Sequence, residues 1–218
     1  MHRLSQIISW LFLPFTMPVL ALVVAMFTPA AMNYQSLDSL YDLDTRVKIY
    51  FIINFLLYSV LLPAIAILLL RYTKRIDSVE LDKRNQRFVP LILTCLSSVL
   101  LIYLLFETRE KVHVSAHLFG MAAAGFFMTL SFGLINLKMK ISLHAGGVGM
   151  LVGFIVAYSL NQSFLVIWPL ILAIIVAGLV ISARLILNKH TPKQVYLGFS
   201  LGSLITFGSD LFFVSFGI

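Results

Sequence analysis

Only one cysteine, Cys95, occurs among the 218 residues, and it lies inside an apolar stretch. A disulfide framework needs paired cysteines and a cysteine metal site needs a cluster, so a single chain can hold neither. Cys95 reads instead as a small buried hydrophobe. Charge is equally scarce: 11% of the residues are Asp, Glu, Lys or Arg, against 60% hydrophobic, and the mean hydropathy is +0.99. That balance excludes a water-soluble globule and leaves a membrane protein. Long polar connections are missing too. Only residues 28–46 and 71–87 approach loop size, so no separate soluble domain fits, and residues 1–218 read as one transmembrane domain.

What fills the chain is a series of apolar runs of spanning length. They cover Ile7 to Phe27, Val47 to Leu70, Phe88 to Phe106, Val114 to Leu134, His144 to Leu160, Phe164 to Leu187 and Val195 to Phe216. A helix needs about 20 residues to cross the hydrocarbon core. The expected fold is therefore an all-α polytopic transmembrane helix bundle with seven spans; the fifth run is short and glycine-rich, which leaves six as the alternative. Arg3 ahead of an apolar run, with Ala30 and Ala31 near its end, resembles a signal peptide, but the run is too long for one. It reads as a retained first helix, with Pro14 and Pro18 as candidate kinks that a bundle tolerates. Gly146, Gly149 and Gly153, together with Gly198 and Gly202, mark faces where helices approach closely. Trp10 and Trp168 read as interface anchors or lipid-facing surface.

Numbering the runs in order places the N-terminus and the connections after runs two, four and six on one face. That face carries twelve of the sixteen Lys and Arg residues; Arg46, Lys48, Arg109 and Lys111 lie on the other. Setting aside Lys83, Arg84, Arg87 and Arg184 as candidate site residues leaves eight against four. The positive-inside rule then puts the basic face in the cytoplasm of a multi-pass inner-membrane protein.

Three polar clusters interrupt the oily sequence, all on that face: Asp82 to Arg87 ahead of Pro90, Ser142-Leu143-His144, and Arg184 followed after five residues by His190. Ionisable groups at membrane depth are expensive and point to function. Two histidines among cations suit a phosphate ester. Arginine forks and hydroxyl donors stabilise phosphoryl oxygens, while one imidazole attacks phosphorus and the other protonates the leaving oxygen.

These clusters resemble, in order and spacing, the three signatures of the type 2 phosphatidic acid phosphatase superfamily. Arg184 and His190 are similar to the third signature, Ser142-Leu143-His144 to the second, and Lys83 through Pro90 to the first. The run from His190 to Gly202 is similar to the polyprenyl diphosphate phosphatase variant, including dolichyl diphosphatase-like members. The resemblance implies a phosphatase-like core over about residues 83–216, preceded by N-terminal helices in 1–70. It implies His190 as nucleophile, His144 as general acid, and Lys83, Arg87, Ser142 and Arg184 as phosphate ligands, with Arg84 the alternative to Arg87. Three departures stand out: Phe88 and Val89 separate Arg87 from Pro90, Leu143 replaces a glycine, and Gln194 stands where many members have aspartate. A glutamine oxygen still accepts an imidazole N–H but offers an imidazolium no charge.

The expected activity is thus metal-independent hydrolysis of a polyprenyl diphosphate or phosphatidyl-type phosphate through a phosphohistidine. The alternative is a transporter or flippase that binds the same phosphorylated lipid without hydrolysis. The expected partners are the lipid phosphate substrate and membrane lipids. No nucleic acid, metal or organic cofactor is called for, and a homo-oligomer is left open. His113 and His117, spaced i, i+4 near Glu110, could share a helical face as metal ligands. Their position on the opposite membrane face favours an exposed helix start instead.

Overall fold

The computed structural model describes residues 1–29, 38–162 and 167–217, and every regular element among them is helical. Seven helices are long and apolar enough to cross a membrane, so the chain is an all-α, multi-pass bundle. Ala30 and Ala31, read as a faint cleavage signal, and Phe164, read as the start of the sixth run, lie outside the described residues.

The first span is broken rather than kinked. Helix α1 (His2–Leu11) stops, a single 3-10 turn covers Pro14–Thr16, and α2 (Met17–Phe27) continues. Pro14 has no N–H to bond back to Trp10, and its ring would strike that carbonyl, so α1 cannot run on. Pro18 sits in the first turn of α2, where a missing N–H costs nothing and no kink results. In the second span, α3 (Thr45–Phe55) and α4 (Leu62–Tyr72) are joined by a π-helical stretch, Leu56–Leu61. There the Leu62 N–H reaches back five residues to the Leu57 carbonyl. Pro63 cannot repeat that bond, which would leave the Tyr58 carbonyl bare in lipid. The Ser97 hydroxyl donates to it from the neighbouring helix α5 (Phe88–Arg109).

Helices α6 (Ala116–Asn136), α7 (Leu143–Leu160), α8 (Ile167–Ile186) and α9 (Pro192–Phe216) complete the bundle. Helix α7 lies at the centre, packed on α2, α6, α8 and α9. Its contact with α9 is backbone on backbone. A Cβ on Gly149 would fall 2.3 Å from the Phe199 carbonyl oxygen, one on Gly153 2.3 Å from that of Ser203, and one on Gly202 2.2 Å from that of Gly146. The small-residue packing read from the sequence is therefore present. Outward faces are apolar, as with Ile65, Leu96 and Leu172, and Cys95, expected to be buried, is only half-buried on α5.

Far from the basic connections, α6 and α9 are joined by a polar contact that the sequence reading misplaced. His117 is buried, not exposed at a helix start, and its Nδ1 lies 3.0 Å from both carboxylate oxygens of Asp210. His113 instead faces Asp38 at 3.4 Å, so the two histidines do not form one ligand face. The reason is Asp210, the one acid of the last span, which must find a partner inside the bundle. Removing it by Asp210→Ala leaves His117 unpartnered and should cost about 3–5 kcal/mol. Gly202→Ala should cost about 1–3 kcal/mol by overpacking. Thermal melting in detergent checks both, with Gly133→Ala as the neutral control because nothing lies within 4 Å of its missing Cβ.

Candidate functional site

Each of the three polar clusters occupies a helix end, and local geometry explains its spacing. Arg184 is in the last turn of α8. The chain then reverses at Asn188, whose φ of 52° is left-handed, while the Lys189 N–H closes back on the Arg184 carbonyl at 3.2 Å. Asparagine tolerates that conformation at a helix C-terminus. The reversal brings His190 back past Arg184 and into Thr191, the N-cap of α9, which forms a reciprocal capping box with Gln194. Ser142 caps α7 by accepting the Ala145 N–H at 3.3 Å, which places His144 in the first turn. A 3-10 turn, Arg84–Arg87, leads into α5.

The connections are tied together directly. The Ser142 N–H donates to the Gln194 carbonyl at 3.3 Å, Lys140 Nζ donates to the Lys189 carbonyl at 3.1 Å, and Lys189 pairs with Asp82 at 2.8 Å and Glu80 at 2.9 Å. Around them opens a cavity of about 480 Å³ lined by His144, His190, Arg87, Arg184, Lys189 and Glu80. Its far wall is apolar: Trp10, Leu13 and Phe15 from the first span face Ala64, Ile67 and Leu68 from α4. Trp10, expected as an anchor or lipid-facing residue, therefore also lines the cavity.

The two arginines are buried, Arg87 at 3% exposure and Arg184 at 4%. Arg87 donates through Nε to the Leu81 carbonyl at 2.7 Å and through Nη1 to that of Ile141 at 2.6 Å, which aims the fork. Arg184 Nε has no hydrogen-bond partner among the described residues. Among the described residues neither guanidinium forms an ion pair; the nearby acids Asp82 and Glu80 are held by Lys189. Two buried, uncompensated cations are costly unless the site takes an anion.

The histidines are held in opposite senses. Gln194 Oε1 accepts the Thr191 backbone N–H at 3.4 Å, so the amide oxygen must face that way, and His190 Nδ1–H donates to it at 3.0 Å. His190 Nε2 is left with the lone pair. Burial, reinforced by Arg87, Lys140 and Arg184 and opposed by the Gln194 bond, pushes the His190 pKa down to about 3. Its imidazole is neutral and nucleophilic at pH 7. His144 Nε2–H donates to the Ser9 carbonyl at 3.2 Å, which leaves Nδ1 as the nitrogen open to chemistry. Asp82 is held below the ordinary carboxylate range: burial acts to raise it, and the bond and charge of Lys189 outweigh that.

Of the residues singled out from sequence, His144, His190, Arg87 and Arg184 line the cavity, and Gln194 touches it through His190. Three others do not. Lys83 points outward and pairs with Asp77 at 2.5 Å. Arg84 donates to the Leu137 and Lys138 carbonyls at the end of α6, a structural clamp satisfying carbonyls that a helix terminus leaves open. Ser142 is wholly buried with its hydroxyl used as a cap. Sequence reasoning missed Lys189, although it adjoins His190, and missed the contribution of α1, where His2, Gln6 and Ser9 line the cavity. The available signal was a polar stripe at i, i+4, i+7 on an otherwise oily helix.

No protein-family model, curated protein or solved structure matches the chain.

Because the folded chain binds the His190 proton only near pH 3 while a free imidazole binds it near 6.5, acid favours unfolding across that window. Its ring proton resonances should hold still from pH 8 to pH 4 by NMR. A titration midpoint above pH 6 would contradict the site's electrostatics.

Proposed function

We propose that the chain is an integral-membrane lipid phosphatase of the type 2 phosphatidic acid phosphatase kind, acting on a polyprenyl diphosphate or phosphatidyl-type phosphate. The observation that carries this reading is the pair of buried, uncompensated arginines beside a neutral His190 in a cavity that also has an apolar wall. The arginines bind the phosphoryl group, and the lipid tail lies against Trp10, Leu13, Ala64 and Leu68. The N-termini of α7 and α9, next to which His144 and His190 line the cavity, add positive partial charge.

In the first step the His190 Nε2 lone pair forms a bond to phosphorus. The bond from phosphorus to the leaving oxygen breaks, and that oxygen takes the proton that His144 Nδ1 carries once the anionic substrate, bringing a proton with it, has offset the charge of Arg87 and Arg184. In the second step neutral His144 removes a proton from water, whose oxygen attacks the phosphohistidine; the N–P bond breaks and inorganic phosphate leaves. Arg87 and Arg184 stabilise charge on the equatorial oxygens throughout. Gln194 orients His190 without adding negative charge. The charge bias of the connections supports a cytoplasmic active face.

Binding without hydrolysis, as in a flippase, is the second reading, and the neutral Gln194 favours it. Purified protein given lipid phosphates and diphosphates in the presence of chelator should release phosphate. His190→Ala should abolish release, and Arg87→Ala should lower kcat by about a hundredfold or more, as when one transition-state donor is lost. Lys83→Ala should change it less than about threefold, because an exposed pair contributes little. Release unaltered by His190→Ala would overturn the phosphatase reading, and tight binding without release would favour the flippase.

A further inference from the structure

The cavity has one wall that none of the three polar clusters supplies. Helix α1 packs against α8 with its small residues inward: Ser5 and Ser9 are 4% and 5% exposed, whereas Leu4, Ile7, Trp10 and Leu11 face out. This is the reverse of a soluble amphipathic helix, and it suits a bilayer.

The two serines differ in what they do. Ser5 Oγ bonds back to the Met1 carbonyl at 3.2 Å and does not line the cavity. Ser9 lines it, and its Oγ is buried with no hydrogen-bond partner among the described residues. A buried hydroxyl left bare costs free energy comparable to a lost hydrogen bond. Arg184 Nε, another unpartnered donor, belongs to the same cavity, and the Ser9 carbonyl already holds His144. Ser9 therefore shares the cavity with the buried Arg184 and touches the imidazole assigned to the leaving oxygen.

We propose that Ser9 is a phosphate-binding residue: its hydroxyl donates to a phosphoryl oxygen alongside Arg184, while its carbonyl fixes the ring of His144. This rests on the phosphatase reading for its place in a reaction, but the binding claim stands on the cavity alone. It makes α1, which the turn at Pro14 separates from α2, part of the site.

The test uses the full-length protein in detergent, with two readouts: affinity for inorganic phosphate by calorimetry, and kcat/KM for phosphate release from a lipid phosphate. Ser9→Ala should weaken phosphate binding and lower kcat/KM by about tenfold to a hundredfold, as expected for a hydrogen bond to a charged group. Ser9→Thr keeps the hydroxyl and should stay within about threefold of the native chain. Ser5→Ala, buried one turn away on the same helix, controls for packing and should change neither readout. Equal losses in Ser5→Ala and Ser9→Ala would reduce Ser9 to a packing residue and overturn the proposal. Native activity that depends on His190 but not on Ser9 overturns the Ser9 proposal alone. Absent phosphate release overturns the phosphatase reading, and phosphate affinity then still decides for Ser9: a value unchanged by Ser9→Ala, or no binding even by the native chain, rejects it.

Discussion

Inside a bilayer no hydrophobic force presses one helix against another, so helices associate through close packing and a few polar contacts. In this bundle the decisive contact is the seam between α7 and α9, where Gly149, Gly153, Gly198 and Gly202 let the two backbones touch. The seam fixes the relative height of the helices. Their N-termini then lie side by side, joined by the bond from the Ser142 N–H to the Gln194 carbonyl, and His144 and His190 open into one cavity. A bulkier residue anywhere along that seam would shift one imidazole relative to the other. The chemistry proposed for the site thus depends on side chains that are absent.

Electrostatics follow from that placement. Among the described residues Arg87 and Arg184 are buried without an ion pair of their own, while the acids within reach, Glu80 and Asp82, are taken up by Lys189. An aspartate at position 194 would cancel part of the field and favour the charged form of His190. Gln194 instead supplies the same hydrogen-bond oxygen without charge, so the cations remain available to an anion and the imidazole stays neutral. In the proposed reading a lipid phosphate would bring the missing negative charge, and its tail would lie against the apolar wall between α1 and α4.

Helix number and the glycine seam were legible because they rest on local composition and period. So was the convergence of Arg87, His144, Arg184 and His190, because counting spans places their connections on one face. What the sequence could not show were choices between nearby partners. Lys83 and Arg84 have the right charge beside Arg87, but Asp77 captures one and the open carbonyls of α6 capture the other. Nor could spacing reveal that Ser9, 135 residues from His144, holds its ring, or that His117 would leave the interface for Asp210, 93 residues on. Such long-range matches follow from helix packing, which an apolar period does not specify. Pro14 was visible as a disturbance, but that it separates a cavity-lining α1 from α2 emerges only when α1 is seen resting on α8.

The central claim is that the cavity holds a phosphoryl group in line with His190 Nε2. Brief exposure of the protein to a lipid phosphate, an alkaline quench and peptide mass spectrometry tests it most directly, because a phosphohistidine survives base and is lost in acid. The account predicts phosphate on the peptide containing His190, at that residue, and none when His190 is replaced. Phosphate released by an active protein that never carries it on His190 would contradict the account.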